Sequence, residues 1–224
     1  MRVIAGEFKG RRIDAVPGDS TRPSSDMLRE AFASTIISGR EDGFEGASFF
    51  DAFAGSGAVG IEALSRGAAT CLFMDIDQKA ISTVESNLEP LPLQPGQAVI
   101  RCGDTFETAQ MDAGSFPGCP FDIVYIDPPY AVDASSVCSL MADLAAGGAL
   151  ADGAVVVYEL LGSGKPKKVK GQKKDKNAAP PLVVSMLEQL GGGFGFVGTR
   201  FYGKSQVIYF EYGRPEGEPE NSAG

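Results

Sequence analysis

The chain has 224 residues, a formal net charge of −9, and neither histidine nor tryptophan. This length fits one compact domain. Without histidine, a Ser-His-Asp relay, a Cys-His relay and a His-ligated zinc ion are excluded. The four cysteines form no CxxC pair, so we predict no metal site. Neither a stretch of roughly 20 apolar residues nor the apolar core of a signal peptide is present, which predicts a cytoplasmic protein without membrane contact.

The charge is unevenly distributed along the chain. Residues 41–160 hold 18 acidic residues against three basic ones, a local net charge of −15. Basic residues concentrate in residues 1–12 and in residues 165–176, where seven lysines accompany one aspartate. An acidic body with two basic segments is typical of a protein that binds a polyanion. A lysine-rich loop that serves only solubility would produce the same pattern.

The first predicted elements are a short hairpin in residues 1–12 and a helix that ends at Gly39. From residue 48, strand-like and helix-like segments alternate, which predicts an α/β fold with a parallel sheet and helices on both faces. The predicted strands are Ser48–Phe53, Thr70–Asp75, Gln97–Cys102, Phe121–Ile126 and Gly153–Leu160. The predicted helices between them are Ala58–Arg66, Gln78–Leu88 and Ser135–Leu144.

The region after the fifth strand begins with residues 162–181, which are rich in lysine, glycine and proline and predict an exposed flexible loop. A helix over Leu182–Leu190 and a β-hairpin of Phe194–Tyr202 with Ser205–Tyr212 are predicted next. A hairpin is antiparallel, so one late strand must run against the others. Residues 214–224 are predicted to form a disordered acidic tail.

A glycine-rich motif, DAFAGSGAVG in residues 51–60, follows the first strand of the alternating region and opens a helix. Gly55, Gly57 and Gly60 match G-x-G-x-x-G, and Asp75 ends the second strand, where its carboxylate can accept from ribose hydroxyls. This pattern fits NAD as well as S-adenosylmethionine. A tight turn that binds no ligand would also produce it.

Asp51 favours S-adenosylmethionine over NAD. A carboxylate four residues before Gly55 would face the negative pyrophosphate of NAD, whereas it would attract the ammonium group of a methionine moiety. Asp104, after the third strand, can accept from the exocyclic amine of adenine. A loop aspartate that caps the next helical turn is the alternative interpretation of Asp104.

The sequence Asp127-Pro128-Pro129-Tyr130 follows the fourth strand. Its two prolines fix the backbone and remove two N–H donors, so carbonyl groups and the Asp127 carboxylate form an accepting surface. Accepting both hydrogens of an exocyclic amine favours a pyramidal nitrogen whose lone pair can attack a sulfonium methyl group in line. Tyr130 offers a face on which an extruded base can stack. An ordinary proline turn is the alternative.

Four blocks of the sequence, residues 2–11, 21–30, 51–68 and 127–130, together resemble a known family. They are similar to the RsmD family of bacterial 16S ribosomal RNA (guanine(966)-N(2))-methyltransferases. The resemblance covers residues 1 to about 160 and resumes in the closing hairpin. The DPPY tetrapeptide alone would indicate an amino-methyltransferase of DNA, RNA or protein glutamine, and the N-terminal block carries the narrower assignment.

The resemblance implies a Rossmann-like methyltransferase with a seven-stranded, mostly parallel sheet, helices on both faces and a C-terminal antiparallel hairpin. It implies S-adenosylmethionine as the cofactor and methyl transfer to guanine N2. Residues 1–45 would form an RNA-contacting extension, residues 46–213 the methyltransferase domain, and residues 214–224 the tail. The expected partner is 16S ribosomal RNA within a small-subunit particle, bound by a monomeric enzyme.

The predicted site residues fall into three groups. The catalytic group is Asp127, Pro128, Pro129 and Tyr130. The cofactor-binding group is Asp51, Phe53, Ala54, Gly55, Ser56, Gly57, Gly60, Asp75, Ile76, Asp104 and Thr105. The RNA-binding group is Arg2, Lys9, Arg11, Arg12, Arg22, Lys165, Lys167 and Lys168.

Other functions remain open at the level of sequence. An NAD-dependent oxidoreductase would use the glycine motif but would give the DPPY tetrapeptide no role. A non-catalytic RNA-binding module would leave both motifs unused. A DNA amino-methyltransferase shares the chemistry but needs a sizeable target-recognition region, for which this chain has no room.

Overall fold

The computed structural model describes residues 1–18, 26–110, 116–161 and 179–213. The strands are β1 (Ser48–Asp51), β2 (Thr70–Asp75), β3 (Ala98–Cys102), β4 (Phe121–Ile126), β5 (Leu150–Leu161), β6 (Phe194–Tyr202) and β7 (Ser205–Tyr212). The helices are α1 (Asp26–Gly39), α2 (Ala58–Ser65), α3 (Gln78–Leu88), α4 (Thr105–Ala109), α5 (Ala134–Ala146) and α6 (Pro181–Leu190).

All seven strands form one sheet in the order β3-β2-β1-β4-β5-β7-β6. Strands β1 to β5 are parallel, and β7 runs antiparallel to both β5 and β6. The predicted parallel sheet and its antiparallel closing hairpin are therefore confirmed. The strand order reverses between β1 and β4, and such a switch point places a crevice at the carboxyl ends of these two strands.

Alternate side chains of each strand feed two hydrophobic cores, one on each face of the sheet. We call the face covered by α1, α2 and α3 the α1 face, and the face covered by α5 and α6 the α5 face. In β4, Tyr125 on the α1 face lies 4.9 Å from Phe32, ring centre to ring centre. In β1, Phe50 on the α5 face stacks on Phe121 at 5.0 Å.

The structure differs from the predicted elements in a few places. The short helix α4 was not predicted, and β5 starts at Leu150, three residues earlier than expected. The N-terminal hairpin is reduced to a single antiparallel bridge between Arg2 and Arg12. Most of the predicted loop at 162–181 and the whole predicted tail at 214–224 lie outside the described residues.

Helices long and apolar enough to span a bilayer are not found in the described parts of the chain.

Candidate active site

The candidate site lies at the carboxyl ends of β1, β2 and β4, beside the switch point. The end of β1 is held to β4 by a hydrogen bond from the Ala52 N–H to the Tyr125 carbonyl at 3.0 Å. The loop that follows β1 is held to β2 by the Ala54 N–H, which donates to the Met74 carbonyl at 2.9 Å. The glycine motif and the DPPY tetrapeptide, which are distant in the chain, are thus brought to one edge of the sheet.

The three motif glycines have different structural roles. Gly55 and Gly57 have positive φ angles, +52° and +76°, which favour glycine. A Cβ added to Gly55 would meet no atom within 4 Å, so this part of the backbone is open to a ligand. A Cβ on Gly57 would contact Val84 at 3.2 Å, and one on Gly60 would lie 2.3 Å from the ring of Phe73. Gly60 therefore allows α2 to pack closely on β2, Gly57 allows close packing against α3, and the predicted ligand contacts of both glycines remain predictions.

Asp51 is buried at the base of the glycine motif, with 2% of its surface exposed. Its Oδ2 accepts from the Gly60 N–H at 2.9 Å, which anchors the first turn of α2 to β1. Burial raises the pKa of Asp51 from 3.8 to about 7, the charge of Asp75 adds to this rise, and the Gly60 hydrogen bond opposes it. A cation brought into the crevice would stabilise the ionised carboxylate, which agrees with the predicted attraction for an ammonium group.

Asp75 ends β2 and joins two loops of the site. Its Oδ2 accepts from the Gly55 N–H at 2.8 Å, and its Oδ1 accepts from the Asp77 N–H at 2.9 Å. Each carboxylate oxygen can accept more than one hydrogen bond. Asp75 is half-buried, so it can still accept from ribose hydroxyls, as predicted, while it holds the open part of the glycine loop.

Asp104 is the N-cap of α4, which is the capping alternative that the sequence left open. Its Oδ1 accepts from the N–H groups of Phe106 at 2.8 Å and Glu107 at 3.4 Å. The carboxylate retains capacity for a further donor, so its contact with adenine stays a prediction. Thr105 is buried, and its hydroxyl donates to the Ala52 carbonyl at 2.6 Å. Because this hydroxyl is already engaged, a contact between Thr105 and the cofactor would have to be made by the main chain of Thr105.

The other predicted cofactor residues line the same edge with different exposures. Phe53 is half-buried and lies 5.8 Å from the ring of Phe106, between the glycine loop and α4. Ala54 is buried, and the carbonyl of Ser56 accepts from the Asn87 side chain at 2.9 Å. Ile76 is 68% exposed directly after Asp75, an apolar surface suited to a flat adenine ring.

The DPPY tetrapeptide leaves the end of β4 and leads into α5. The Pro129 carbonyl accepts from the Val132 N–H at 2.9 Å, which closes a turn. Pro128 is half-buried, whereas Tyr130 is 71% exposed, so its ring is available to a base. Burial raises the pKa of Asp127 well above its usual value, and the negative charges of Glu159 and Asp51 raise it further.

Sequence reasoning missed a buried pair next to Asp127. Glu159 of β5 is 6% exposed, and its Oε2 accepts from the Tyr125 hydroxyl at 2.7 Å. Tyr158 pairs with Ile126 across β4 and β5, so Glu159 and Asp127 each directly follow a paired residue, and the charge of Glu159 acts on Asp127. A glutamate inside the apolar segment VVVYELL is the signal that could have indicated it.

The basic N-terminal residues lie on a turn that packs against α2. The carboxylate of Glu62, in α2, accepts from the N–H groups of Ile4 at 2.8 Å and Ala5 at 3.1 Å. The Ser65 hydroxyl oxygen accepts from the Phe8 N–H at 2.9 Å. These hydrogen bonds hold the turn in place while the four predicted basic side chains remain exposed: Arg2, Lys9, Arg11 and Arg12.

Asn87 connects this segment to the glycine loop. It is 4% exposed, and its side chain donates to the carbonyls of Asp14 at 3.0 Å and Ser56 at 2.9 Å. Arg12 forms an ion pair with the Asp14 carboxylate at 2.7 Å. The Asn87 side chain therefore connects Asp14, at the end of the basic turn, directly to Ser56 in the glycine loop. The remaining predicted RNA-binding residues lie outside the described residues: Arg22, Lys165, Lys167 and Lys168.

The fold and the chemistry of this edge define a class. A sheet of this strand order, with an open glycine loop after β1 and an acid after β2, is the fold of S-adenosylmethionine-dependent methyltransferases. The crystal structure of magnesium protoporphyrin IX methyltransferase from Synechocystis, which has bound S-adenosylmethionine, is an example. It aligns over 88% of each chain with 17% identity and a TM-score of 0.59.

The family described as "Conserved hypothetical protein 95" matches residues 1–177, and the chain belongs to this family. The resemblance to the RsmD family is thereby confirmed. "Putative rRNA methyltransferase YlbH" of Bacillus subtilis is 45% identical over 130 residues, which are 58% of this chain and 67% of that protein. "Ribosomal RNA small subunit methyltransferase D" of Haemophilus influenzae is 30% identical over 132 residues, 58% of this chain and 64% of that protein.

A solved structure extends the likeness beyond these aligned regions. "Putative methyltransferase yhhF from Escherichia coli" covers 96% of this chain and 99% of its own, with 24% identity and a TM-score of 0.72. The whole architecture, including the closing hairpin, is thus shared with that protein. The predicted cofactor, S-adenosylmethionine, is the cofactor of the class.

Proposed function

We propose that this protein transfers a methyl group from S-adenosylmethionine to the exocyclic N2 of a guanine in 16S ribosomal RNA. The observation that carries the proposal is the position of Asp127. This carboxylate and the DPPY turn lie at the end of β4, next to the open glycine loop of β1. The names of the family relatives, which are methyltransferases of ribosomal RNA, support the substrate class.

The crevice fits the cofactor in three respects. The backbone at Gly55 is open, Asp75 has acceptor capacity for ribose, and the buried carboxylate of Asp51 would favour a cation. S-adenosylmethionine supplies an electrophilic methyl group on a positively charged sulfur. The same buried carboxylate would oppose a pyrophosphate, which makes NAD a poor fit. Residues Asp51, Gly55 and Asp75 would hold the methionine and ribose parts, and Ile76 would contact the adenine.

The chain's own residues orient the target amine. The Pro129 carbonyl is engaged by Val132, so we assign the two acceptors to the Asp127 carboxylate and the Pro128 carbonyl. Both amine hydrogens are then directed away from the methyl donor, and the nitrogen lone pair points toward it. Bound S-adenosylmethionine would supply the methyl group and keep the S–C electron pair, so the amine would gain one N–C bond. The nitrogen then carries the positive charge and releases one proton, and we assign Asp127 as the base that accepts it.

The exposed Tyr130 provides the surface against which the extruded guanine stacks, and stacking of one base is worth about 1–3 kcal/mol. The basic turn of residues 2–12 supplies phosphate contacts, because Asn87 places its end beside the glycine loop. These contacts position the RNA without selecting a sequence. Recognition within a small-subunit particle, by a monomer, remains our expectation.

The experiment is methyl transfer from isotope-labelled S-adenosylmethionine to unmodified 16S RNA, to small-subunit particles and to DNA. The products are digested and the methylated nucleoside is identified by mass spectrometry. We expect N2-methylguanosine from RNA or particles and none from DNA. The matched control is Asp127→Asn, which keeps the shape of the side chain. Label in adenine, cytosine or DNA would contradict the proposal.

A further inference from the structure

The turn between β6 and β7 lies at the same edge of the sheet as the candidate site. Ser205, the first residue of β7, pairs with Leu161 at the carboxyl end of β5 and with Tyr202 at the end of β6. The intervening residues, Gly203 and Lys204, are exposed. The hairpin therefore presents its turn beside the ends of the parallel strands, where Asp127 also lies.

One transverse row of the sheet connects Asp127 to Arg200. Asp127 and Glu159 directly follow the paired residues Ile126 and Tyr158, and the charge of Glu159 acts on Asp127. Glu159 pairs with Val207 of β7, and Val207 pairs with Arg200 of β6. Paired residues share a face, and Glu159 accepts from Tyr125 on the α1 face, so Arg200 of β6 is on the α1 face, while Asp127 follows the end of β4. Three strand spacings of about 4.8 Å separate them, a distance of about 14 Å.

The chemistry of this turn is that of a nucleic-acid contact. Arg200 and Lys204 are exposed, and neither forms an ion pair within the described ranges. Tyr202 is half-buried and packs on the hydrophobic core of the α1 face. Burial raises the pKa of its hydroxyl, and the nearby positive charge of Arg200 opposes this rise. Two cations next to a supported aromatic ring can bind phosphates and stack on a base or sugar.

The position of the turn matches the geometry of a substrate strand. A stacked strand advances about 3.4 Å per nucleotide, so about 14 Å corresponds to about four nucleotides. An RNA whose guanine enters the pocket at Asp127 and runs along the α1-face edge would place a phosphate at Arg200. The acidic residues between 41 and 160 repel the phosphates of an RNA. Exposed cations at the edge of the crevice would therefore contribute strongly to RNA binding.

We propose that Arg200, Tyr202 and Lys204 form a second RNA-binding site that holds the backbone about four nucleotides from the target guanine. This site rests on the proposed function for the identity of its ligand. It supplies affinity and register, whereas the chemistry remains at Asp127.

The test compares Arg200→Gln/Lys204→Gln with wild type in binding an unmodified 16S RNA fragment across a salt series. Each lost phosphate contact lowers the slope of log K against log salt by about 0.7, so we expect a decrease of about 1.4. At about 0.1 M salt this corresponds to about 25-fold weaker binding, and the difference should vanish near about 1 M. The methyl-transfer rate at saturating RNA should remain within about twofold, with the loss confined to KM.

Arg40→Gln is the matched control. Arg40 pairs with Asp122 at 3.5 Å near the amino end of β4, whereas the candidate site lies at the carboxyl ends of the strands. Its salt slope should equal that of wild type, whereas the slope of Arg200→Gln alone should fall by about 0.7.

A second series of binding measurements shortens the RNA on either side of the guanine. The variant and wild type should bind equally once fewer than about four flanking nucleotides remain on the contacting side.

Binding requires no turnover, so the two proposals can fail separately. A reduced slope in the double variant, with methylation absent or on another base, would refute the proposed function and keep this site. Methylation of guanine by wild type together with an unchanged slope would overturn the site. A loss of slope shared equally by Arg40→Gln would overturn it as well.

Discussion

Replacing Asp51 by asparagine is expected to stabilise the cofactor-free protein at alkaline pH and to weaken cofactor binding. Asp51 is 2% exposed and its pKa is about 7 in the folded state, against an ordinary value of 3.8. Between these two values the folded protein holds a proton that the unfolded chain has released. The free energy of unfolding therefore falls as the pH rises from about 4 to about 7 and is level above that.

The magnitude follows from the two pKa values. A difference of about three pH units, at about 1.4 kcal/mol each, amounts to about 4 kcal/mol over the full window. About 3 kcal/mol of this loss falls between about pH 5 and pH 8. In Asp51→Asn the amide oxygen can still accept from the Gly60 N–H, so the substitution removes the ionisation and keeps the anchor. An amide N–H without an acceptor would cost about 1–3 kcal/mol at every pH.

The assay is urea unfolding of wild type and Asp51→Asn at about pH 5, 6, 7 and 8. The difference between the two unfolding free energies should move by about 3 kcal/mol in favour of the variant across this range, whatever the constant amide cost. Calorimetric titration should show weaker binding of S-adenosylmethionine to the variant. Parallel stability curves across this range would refute the assignment of a raised pKa to Asp51, and with it this reasoning.

Three further predictions concern the same edge of the sheet. Asp75→Ala removes the partner of the Gly55 N–H and the acceptor for ribose, so calorimetry should show cofactor affinity lower by about 1.5–3 kcal/mol; unchanged affinity would exclude Asp75 from the cofactor site. Asp127→Ala should lower single-turnover methyl transfer by about 10²–10⁴ with nearly unchanged cofactor affinity, because the proposed function assigns its carboxylate to the target amine and not to the cofactor; retained activity would remove it from the mechanism. Glu159→Gln removes a negative charge that raises the pKa of Asp127. The acidic limb of the kcat–pH profile should therefore move to lower pH. An acidic limb at the wild-type pH would contradict the coupling between Glu159 and Asp127.

Much of the fold could be predicted because local pattern and sheet topology agree. The apolar strand segments, the glycine-rich turn and the alternation with amphipathic helices each indicate the same parallel sheet. The motif positions follow, since residues after parallel strands meet at one edge. Asp51 and the DPPY tetrapeptide already favoured S-adenosylmethionine and methyl transfer to an amine, and the family resemblance added ribosomal RNA as the expected substrate.

What the sequence alone could not decide are relations between distant residues. Asp51 and Glu159 are ordinary acids in the sequence, and only the tertiary structure buries both beside Asp127 and thereby changes the proton affinity of that carboxylate. The sequence left two roles open for Asp104, and the structure shows that one of its carboxylate oxygens accepts from the N–H groups at the start of α4. Arg200 is 73 residues from Asp127 in the chain, and strand pairing places it in one row with Glu159, whose charge acts on Asp127. Burial and pairing depend on which segments pack together, and local residue patterns do not specify those partners.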